Sequence, residues 1–155
     1  MQNEMTMEEI YPLLLEVVES GGEFRLYPRG TSMLPMLREG IDSVLLAKPL
    51  TLSPLDICLY RRENGQFVLH RLMHFDEAGD PVFCGDNQLA PEYGIKREQI
   101  IAKVTSYYRG DEHVLTDSPK YLSYLRRHCN LRYRKLYFLP RRIKGRIKRI
   151  LSKQR

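Results

Sequence analysis

The sequence predicts a mainly β, α+β fold built around one core. Short stretches in which apolar and polar side chains alternate follow one another through the middle of the chain, with turn residues between them. Hydrophobic residues make up 43% of the 155 residues, which is enough to bury the core of a single domain. Helical periodicity is confined to the two ends. We therefore predict a helix in residues 1–22, a β domain in residues 23–117 and a helical tail in residues 118–155.

The N-terminal segment carries a helix start signal. Thr6, with Glu9 three residues later, has the spacing of a capping box. The apolar residues that follow are spaced as one helical face: Ile10, Leu13, Leu14, Val17 and Val18. Pro12 predicts a kink or a helix start near that position, because proline removes a backbone hydrogen bond. The two glycines at residues 21–22 predict the end of the helix.

The middle of the chain is predicted to form about seven short strands of a mostly antiparallel sheet. Glycine-containing turns separate several of these stretches, as expected for hairpins. The predicted strands are residues 24–27, 43–47, 56–61, 67–75, 81–84, 100–107 and 112–116.

The net charge of +6 is divided very unevenly along the chain. Residues 1–117 carry 11 Lys and Arg and all 19 Asp and Glu, whereas residues 118–155 carry 14 Lys and Arg and no acid. Residues 141–155 combine this charge with a helical apolar stripe, formed by Ile143, Ile147, Ile150 and Leu151. This pattern predicts binding to an anionic membrane surface. Packing on the β domain or on another subunit is the alternative, and nucleic acid is less favoured because the stripe suits lipid better.

The sequence also predicts a location. No apolar run approaches the roughly 20 residues that cross a bilayer, and the N-terminus has no basic secretion signal. The three cysteines, Cys58, Cys84 and Cys129, are odd in number and follow no metal-binding spacing. We therefore predict reduced thiols in a cytoplasmic, peripherally membrane-associated protein that uses no metal or cofactor. The sequence leaves the oligomeric state open.

A candidate nucleophile lies between the first two predicted strands. Ser32 stands between Gly30 and Pro35, so one turn is permitted by glycine and the next is fixed by proline. Such a segment can present a hydroxyl at a strand end with its backbone N–H exposed, as an acyl-transfer site requires. Taken alone, this short pattern also fits an ordinary turn.

Several segments, in order, resemble the signal peptidase I and LexA-like serine peptidases. The resemblance begins at the serine segment, runs from about residue 30 to residue 104, and is carried by residues 32–35, 37–46, 55–60, 68–72 and 84–87. It implies a compact antiparallel β domain of the LexA/signal-peptidase kind. It also implies hydrolysis of a peptide bond in a peptide or protein substrate, through an acyl-enzyme.

The resemblance also implies roles for individual residues. A histidine followed by arginine, here His70 and Arg71, resembles the endoplasmic-reticulum and spore-former branch, whereas bacterial-type enzymes have lysine there. His70 would be the general base for Ser32, and Asp86 would orient the imidazole or stabilise the imidazolium. His74, four residues later and on the same face by strand alternation, is the alternative base. An ordinary turn residue is the alternative role of Asp86.

The serine segment also supplies the predicted oxyanion and substrate contacts, which are Gly30, Thr31, Met33 and Pro35. Gly30 stands where many bacterial signal peptidases have a hydroxyl, so the oxyanion would rely on the N–H of Ser32 and on Thr31. Ile41 interrupts the usual glycine-aspartate pair, and Leu55 stands where the second segment normally has glycine. No stretch resembles the transmembrane anchor of signal peptidases.

Two other functions compete with a signal-peptidase-like endopeptidase. One is a regulator that cleaves itself, as LexA-like proteins do. Only about 22 residues precede the first predicted strand, however, which is too short for a three-helix DNA-reading domain. The other is a catalytically silent binding module that acts through its basic tail.

Overall fold

The computed structural model of the protein describes residues 5–129 and residue 134. This part of the chain is mainly antiparallel β sheet with two helices, as the α+β prediction required. The helices are α1, Met7–Glu19, and α2, Pro119–His128, and a 3-10 turn covers Arg97–Gln99. The strands are β1 Phe24–Leu26, β2 Ser43–Ala47, β3 Ile57–Arg61, β4 Phe67–Phe75, β5 Pro81–Cys84, β6 Ile100–Arg109 and β7 Glu112–Leu115. All seven predicted strands are confirmed.

Helix α1 begins with the predicted capping box. The backbone N–H of Thr6 donates to Glu9 Oε2 at 2.6 Å, and the N–H of Glu9 donates to Thr6 Oγ1 at 3.3 Å. The helix begins at Met7 and continues through Pro12, so Pro12 does not mark its start. Its buried residues, Leu14 and Val18, join the core. Hydrophobic burial on one face therefore outweighs the hydrogen bond that the proline removes.

The strands form one seven-stranded sheet in which every described pair is antiparallel. The strand order is β1-β2-β6-β3-β4-β5, and β7 pairs with β6. Strand β6 is the longest. Its residues 103–108 pair with β2, while residues 100–103 pair with β3 and residues 106–109 pair with β7. Strand β4 follows β3 through a tight hairpin, which places His70 beside Cys58.

Strand β3 is buried on both faces and divides the core into two clusters. Ile57 and Leu59 belong to a first cluster, which also contains the α1 residues and the loop after β1. Cys58 and Tyr60 belong to a second cluster. Successive side chains of a strand point to opposite faces of the sheet. His70, which pairs with Cys58, therefore lies on the face of the second cluster, and Arg71, which pairs with Ile57, lies on the face of the first.

The beginning of the predicted tail packs on the β domain. Ser118 caps α2 by accepting a hydrogen bond from the N–H of Tyr121, and Tyr121 is buried in the first cluster. Neither helix of residues 5–129 is long and apolar enough to cross a membrane. The predicted amphipathic helix of residues 141–155, and with it the membrane contact, lies outside the described residues.

Candidate active site

The loop that carries Ser32 is anchored in the first cluster. Met33, Met36 and Leu37 are buried there, while Ser32 itself stays partly accessible. Gly30 has a φ of 84°, in the left-handed region that glycine adopts without a steric penalty. The sequence therefore folds locally by burying the apolar residues after the serine and turning sharply before it.

The Gly-Asp-Asn segment after β5 clamps this loop. The backbone N–H of Asn87 donates to the carbonyl oxygen of Ser32 at 2.7 Å, and Asn87 Nδ2 donates to the carbonyl of Thr31 at 3.0 Å. A Cβ placed on Gly85 would lie 2.6 Å from the carbonyl oxygen of Ser32. Glycine is therefore required at residue 85 so that the two loops can approach each other.

We expect Gly85→Ala to lower the free energy of unfolding by about 1–3 kcal/mol, because the methyl group forces the two loops apart. It should also reduce the reactivity of Ser32 toward a serine-directed probe. Chemical denaturation and probe labelling measure the two effects. Gly79→Ala is the control, since Gly79 has a φ of 80° and a Cβ added there would meet nothing within 4 Å. It should cost about 1 kcal/mol and leave labelling unchanged; equal labelling of both variants would contradict the clamp.

Ser32 and His70 line the same pocket, which has a volume of about 680 Å³. Two of the predicted contact residues, Gly30 and Met33, line it as well. The other two bond elsewhere through their backbones: the carbonyl of Thr31 accepts from Asn87, and that of Pro35 accepts from Arg109. The predicted nucleophile and the predicted base thus both line this pocket.

One wall of the pocket is a strand edge. Strand β4 pairs with β5 only from Arg71 to Phe75, so among the described residues 67–70 the strand has β3 on one side and no partner on the other. These four residues line the pocket together with β1. An open edge of this kind can accept the backbone of an extended peptide.

His70 is 4% exposed and has polar neighbours on its own face of the sheet. Its Nδ1 lies 3.2 Å from Tyr60 Oη and 3.9 Å from Glu92 Oε2. Burial lowers the pKa of His70 to about 4, although the negative charge of Glu92 acts in the opposite direction. The imidazole is consequently neutral at pH 7, which is the form that can accept a proton.

Asp86 has different partners from those that its predicted role requires. Its carboxylate accepts hydrogen bonds from Nε and Nη2 of Arg71, at 2.8 and 2.6 Å. Arg71 and His70 are consecutive in β4 and therefore point to opposite faces. Asp86 acts on His70 only as a more distant charge that raises its pKa. The group within hydrogen-bonding reach of Nδ1 is instead Tyr60 Oη from β3, and Glu92, in the loop after β5, lies slightly farther away at 3.9 Å.

His74 is separated from the pocket. The pairing of β4 with β5 shifts register between Leu72 and His74, which interrupts the expected alternation from His70. The side chain of His74 is exposed, and its ring lies 6.3 Å from that of Tyr93. It is not among the residues that line the pocket with Ser32. Of these two histidines, His70 alone lines the pocket with Ser32.

A second serine-histidine pair is present on β6 and β7. His113 Nε2 lies 2.8 Å from Ser106 Oγ, because the two strands pair at this point. Ser106 is only 3% exposed, and neither residue lines the pocket. A hydrogen bond between serine and histidine is thus not sufficient for a candidate site, since the serine must also be reachable by a substrate.

Two residues of the site, Tyr60 and Glu92, were not predicted from the sequence. Tyr60 could have been found, since a hairpin between β3 and β4 puts it diagonally across from His70. Glu92 lies in a loop, where no periodicity indicates its position. It is fixed by an isolated bridge to Phe83, with N···O distances of 3.0 and 2.6 Å.

Comparison with protein-family models, with curated proteins and with solved structures found no match for this chain. Within the described residues, no group of three or more His, Cys, Asp or Glu side chains is arranged to hold a metal ion. The three cysteines are buried and unbridged there.

Proposed function

We propose that the protein is a serine endopeptidase of the signal-peptidase and LexA-like kind, with Ser32 as nucleophile and His70 as general base. The observation that carries the proposal is that these two residues, from a loop and a strand far apart in sequence, line one pocket. The serine is partly accessible and the histidine is buried and neutral. These are the states that nucleophilic attack and proton acceptance require.

The proposed reaction proceeds through an acyl-enzyme. Ser32 Oγ attacks the carbonyl carbon of the scissile peptide bond while its proton passes to Nε2 of His70. The same proton then passes to the amine as the C–N bond breaks, which leaves an ester on Ser32. A water molecule gives a proton to Nε2, its oxygen attacks the ester, and Ser32 leaves with that proton. The backbone N–H of Ser32 would stabilise the oxyanion.

Details of the turns support a domain of this kind. Leu55, which stands where the resemblance calls for glycine, has a φ of 79°, the left-handed conformation that glycine would adopt. Gly40 has a φ of 71°. Beyond the interrupting Ile41, the buried Asp42 accepts hydrogen bonds from Arg38 and from the N–H of Gly110. Both segments that depart from the pattern in sequence thus contain a residue with positive φ, a conformation that glycine adopts readily.

The open edge of β4 supports an extended peptide as substrate. A peptide that pairs with residues 67–70 would gain main-chain hydrogen bonds and would run past His70 at the end of that edge. The resemblance implies small residues before the cleaved bond.

A fluorophosphonate probe tests the proposal, because it reacts covalently only with an activated serine. We expect the wild-type protein to gain the mass of one probe molecule and Ser32→Ala to gain none. Ser53→Ala, which removes an exposed hydroxyl, should label like the wild type. Intact-mass measurement also reports any self-cleavage. Absence of labelling in the wild type, or undiminished labelling of Ser32→Ala, would contradict the peptidase and favour a silent binding module.

A further inference from the structure

The Nδ1 atom of His70 faces a phenol whose own proton is already used. The hydroxyl of Tyr60 donates to Glu92 Oε2 at 2.7 Å. A carboxylate only accepts hydrogen bonds, so the direction of this bond is fixed. Tyr60 Oη then presents a lone pair to Nδ1, 3.2 Å away. Two acceptors would face each other if Nδ1 carried no proton, so this arrangement favours a proton on Nδ1.

We propose that Tyr60 and Glu92 are positioning residues that hold neutral His70 as the Nδ1–H tautomer and leave Nε2 as its basic atom. The catalytic consequence rests on the function proposed above, because Nε2 is the atom that would accept the proton of Ser32. The tautomer itself does not depend on that function. Tyr60 and Glu92 would thus have the role that was expected of Asp86, which is to orient the imidazole and stabilise the imidazolium.

The pair is held rigidly. Arg62 donates to both carboxylate oxygens of Glu92, at 2.5 and 2.7 Å. The ring of Tyr60 stacks on Phe83, with the ring centroids 4.4 Å apart, and Phe83 also bridges to the backbone of Glu92. Both side chains are therefore fixed by contacts that do not involve His70, as a group that orients a histidine must be.

Both residues also keep the required protonation state. Burial alone would raise the pKa of Glu92, but the hydrogen bonds from Arg62 and Tyr60 hold it below its usual value. Burial, reinforced by the hydrogen bond to Glu92, raises the pKa of Tyr60. At neutral pH Glu92 is an anion and Tyr60 retains its proton. When His70 takes up a proton, the Glu92 oxygen 3.9 Å from Nδ1 stabilises the resulting positive charge.

Nitrogen-15 NMR of the histidine rings tests the tautomer directly. In the wild-type protein at pH 7, we expect His70 to show the shifts of a ring protonated at Nδ1. Tyr60→Phe keeps the ring on Phe83 but removes the acceptor, so the Nε2–H form should become populated. Tyr93→Phe, beside His74, is the control and should leave the His70 signals in place. An Nε2–H ring in the wild type, or an unchanged tautomer in Tyr60→Phe, would overturn the proposal.

Kinetics separate this role from a merely structural one. Tyr60→Phe should lower kcat on the order of tenfold to a hundredfold with little change in KM, as for other partners that orient a functional histidine. Glu92→Gln keeps an oxygen for Tyr60, so it should preserve the tautomer while lowering kcat through the lost charge. If Ser32 fails to label but His70 shows the Nδ1–H form, the peptidase proposal fails and the positioning of His70 stands.

Discussion

Replacing Asp86 by asparagine is expected to lower the free energy of unfolding by about 3–5 kcal/mol, because it leaves a buried cation without its counter-charge. Arg71 is fully buried, and Asp86 is its ionised partner. The other acceptors of Arg71 are neutral: the carbonyl of Leu55 at 2.7 Å, Tyr121 Oη at 3.0 Å and Met36 Sδ at 3.0 Å. These groups cannot replace the charge of the carboxylate.

Urea denaturation of Asp86→Asn measures this loss. Asp56→Asn is the matched control, because Asp56 forms a partly exposed ion pair with Lys103 at 3.3 Å. The control should lose at most about 1 kcal/mol. The double variant Arg71→Met and Asp86→Asn should recover part of the loss, since it also removes the buried charge of Arg71. The recovery should be incomplete, because Arg134 still lies buried beside residue 86. A loss below about 1 kcal/mol for Asp86→Asn alone would show that the pair is not essential.

The carboxylate of Asp86 also connects the loop of Ser32, through Arg71, to the C-terminal region. Tyr124 Oη donates to Asp86 Oδ2 at 2.9 Å, and Arg134 Nη2 donates to Asp86 Oδ1 at 2.9 Å. Arg71 contributes the second cation and touches Met36 in the loop of Ser32. At least one basic residue of the tail thus neutralises a buried acid of the β domain. At Arg134, therefore, a positive charge of the C-terminal region pairs with a buried acid of the β domain and does not face an external partner.

The fold could be predicted because its signals are local. Each strand has its own apolar alternation and its own turn residues, and the capping box of α1 lies within four residues. The serine loop could be predicted for the same reason, since its glycine, serine and proline are close in sequence. The structure differs from the prediction at Pro12, where the helix neither begins nor ends. There, burial of one helix face outweighs the tendency of proline to interrupt a helix.

The partners of His70 could not be predicted in this way. They depend on which face of the sheet each side chain occupies and on the register in which the strands pair. Asp86 follows the histidine segment in the expected order, but a strand sends His70 and Arg71 to opposite sides, and the carboxylate lies on the arginine side. A register shift then separates His70 from His74. Glu92 reaches the histidine face from a loop whose position is set by one backbone bridge. Long-range geometry decides each of these contacts.

Replacing His70 by alanine is expected to lower kcat/KM by roughly 10²–10⁴-fold, the usual contribution of a general base. Cleavage of an extended peptide by the purified protein, the activity proposed above, provides the test. His74→Ala is the matched control, since His74 is exposed and lies outside the pocket. Its activity should equal that of the wild type. A loss only in His74→Ala would move the base to His74, and equal losses in both variants would contradict a specific role of His70.

The pH dependence of kcat/KM in the wild-type protein provides a second, more specific test of His70. Only the neutral imidazole can accept a proton, and burial lowers the pKa of His70 to about 4. As the pH falls, kcat/KM should therefore stay level through pH 6.5, where an ordinary histidine becomes charged. It should decline only near pH 4, by about tenfold for each further unit. A decline centred near 6.5 would mean that the base is solvated and is not the buried His70.

Unfolding at low pH has to be separated from this decline. The folded protein holds the pKa of His70 below its ordinary value, so the unfolded chain takes up a proton first as the pH falls from about 6.5 towards 4. The contribution of neutral His70 to the free energy of unfolding is therefore fully present above about pH 6.5. It falls by roughly 3 kcal/mol as the pH decreases from about 6.5 to about 4. The Arg71–Asp86 pair persists in this range, because Arg71 lowers the pKa of Asp86 despite its burial. Circular dichroism at each pH should therefore show a folded protein at pH 5, where activity is still at its plateau.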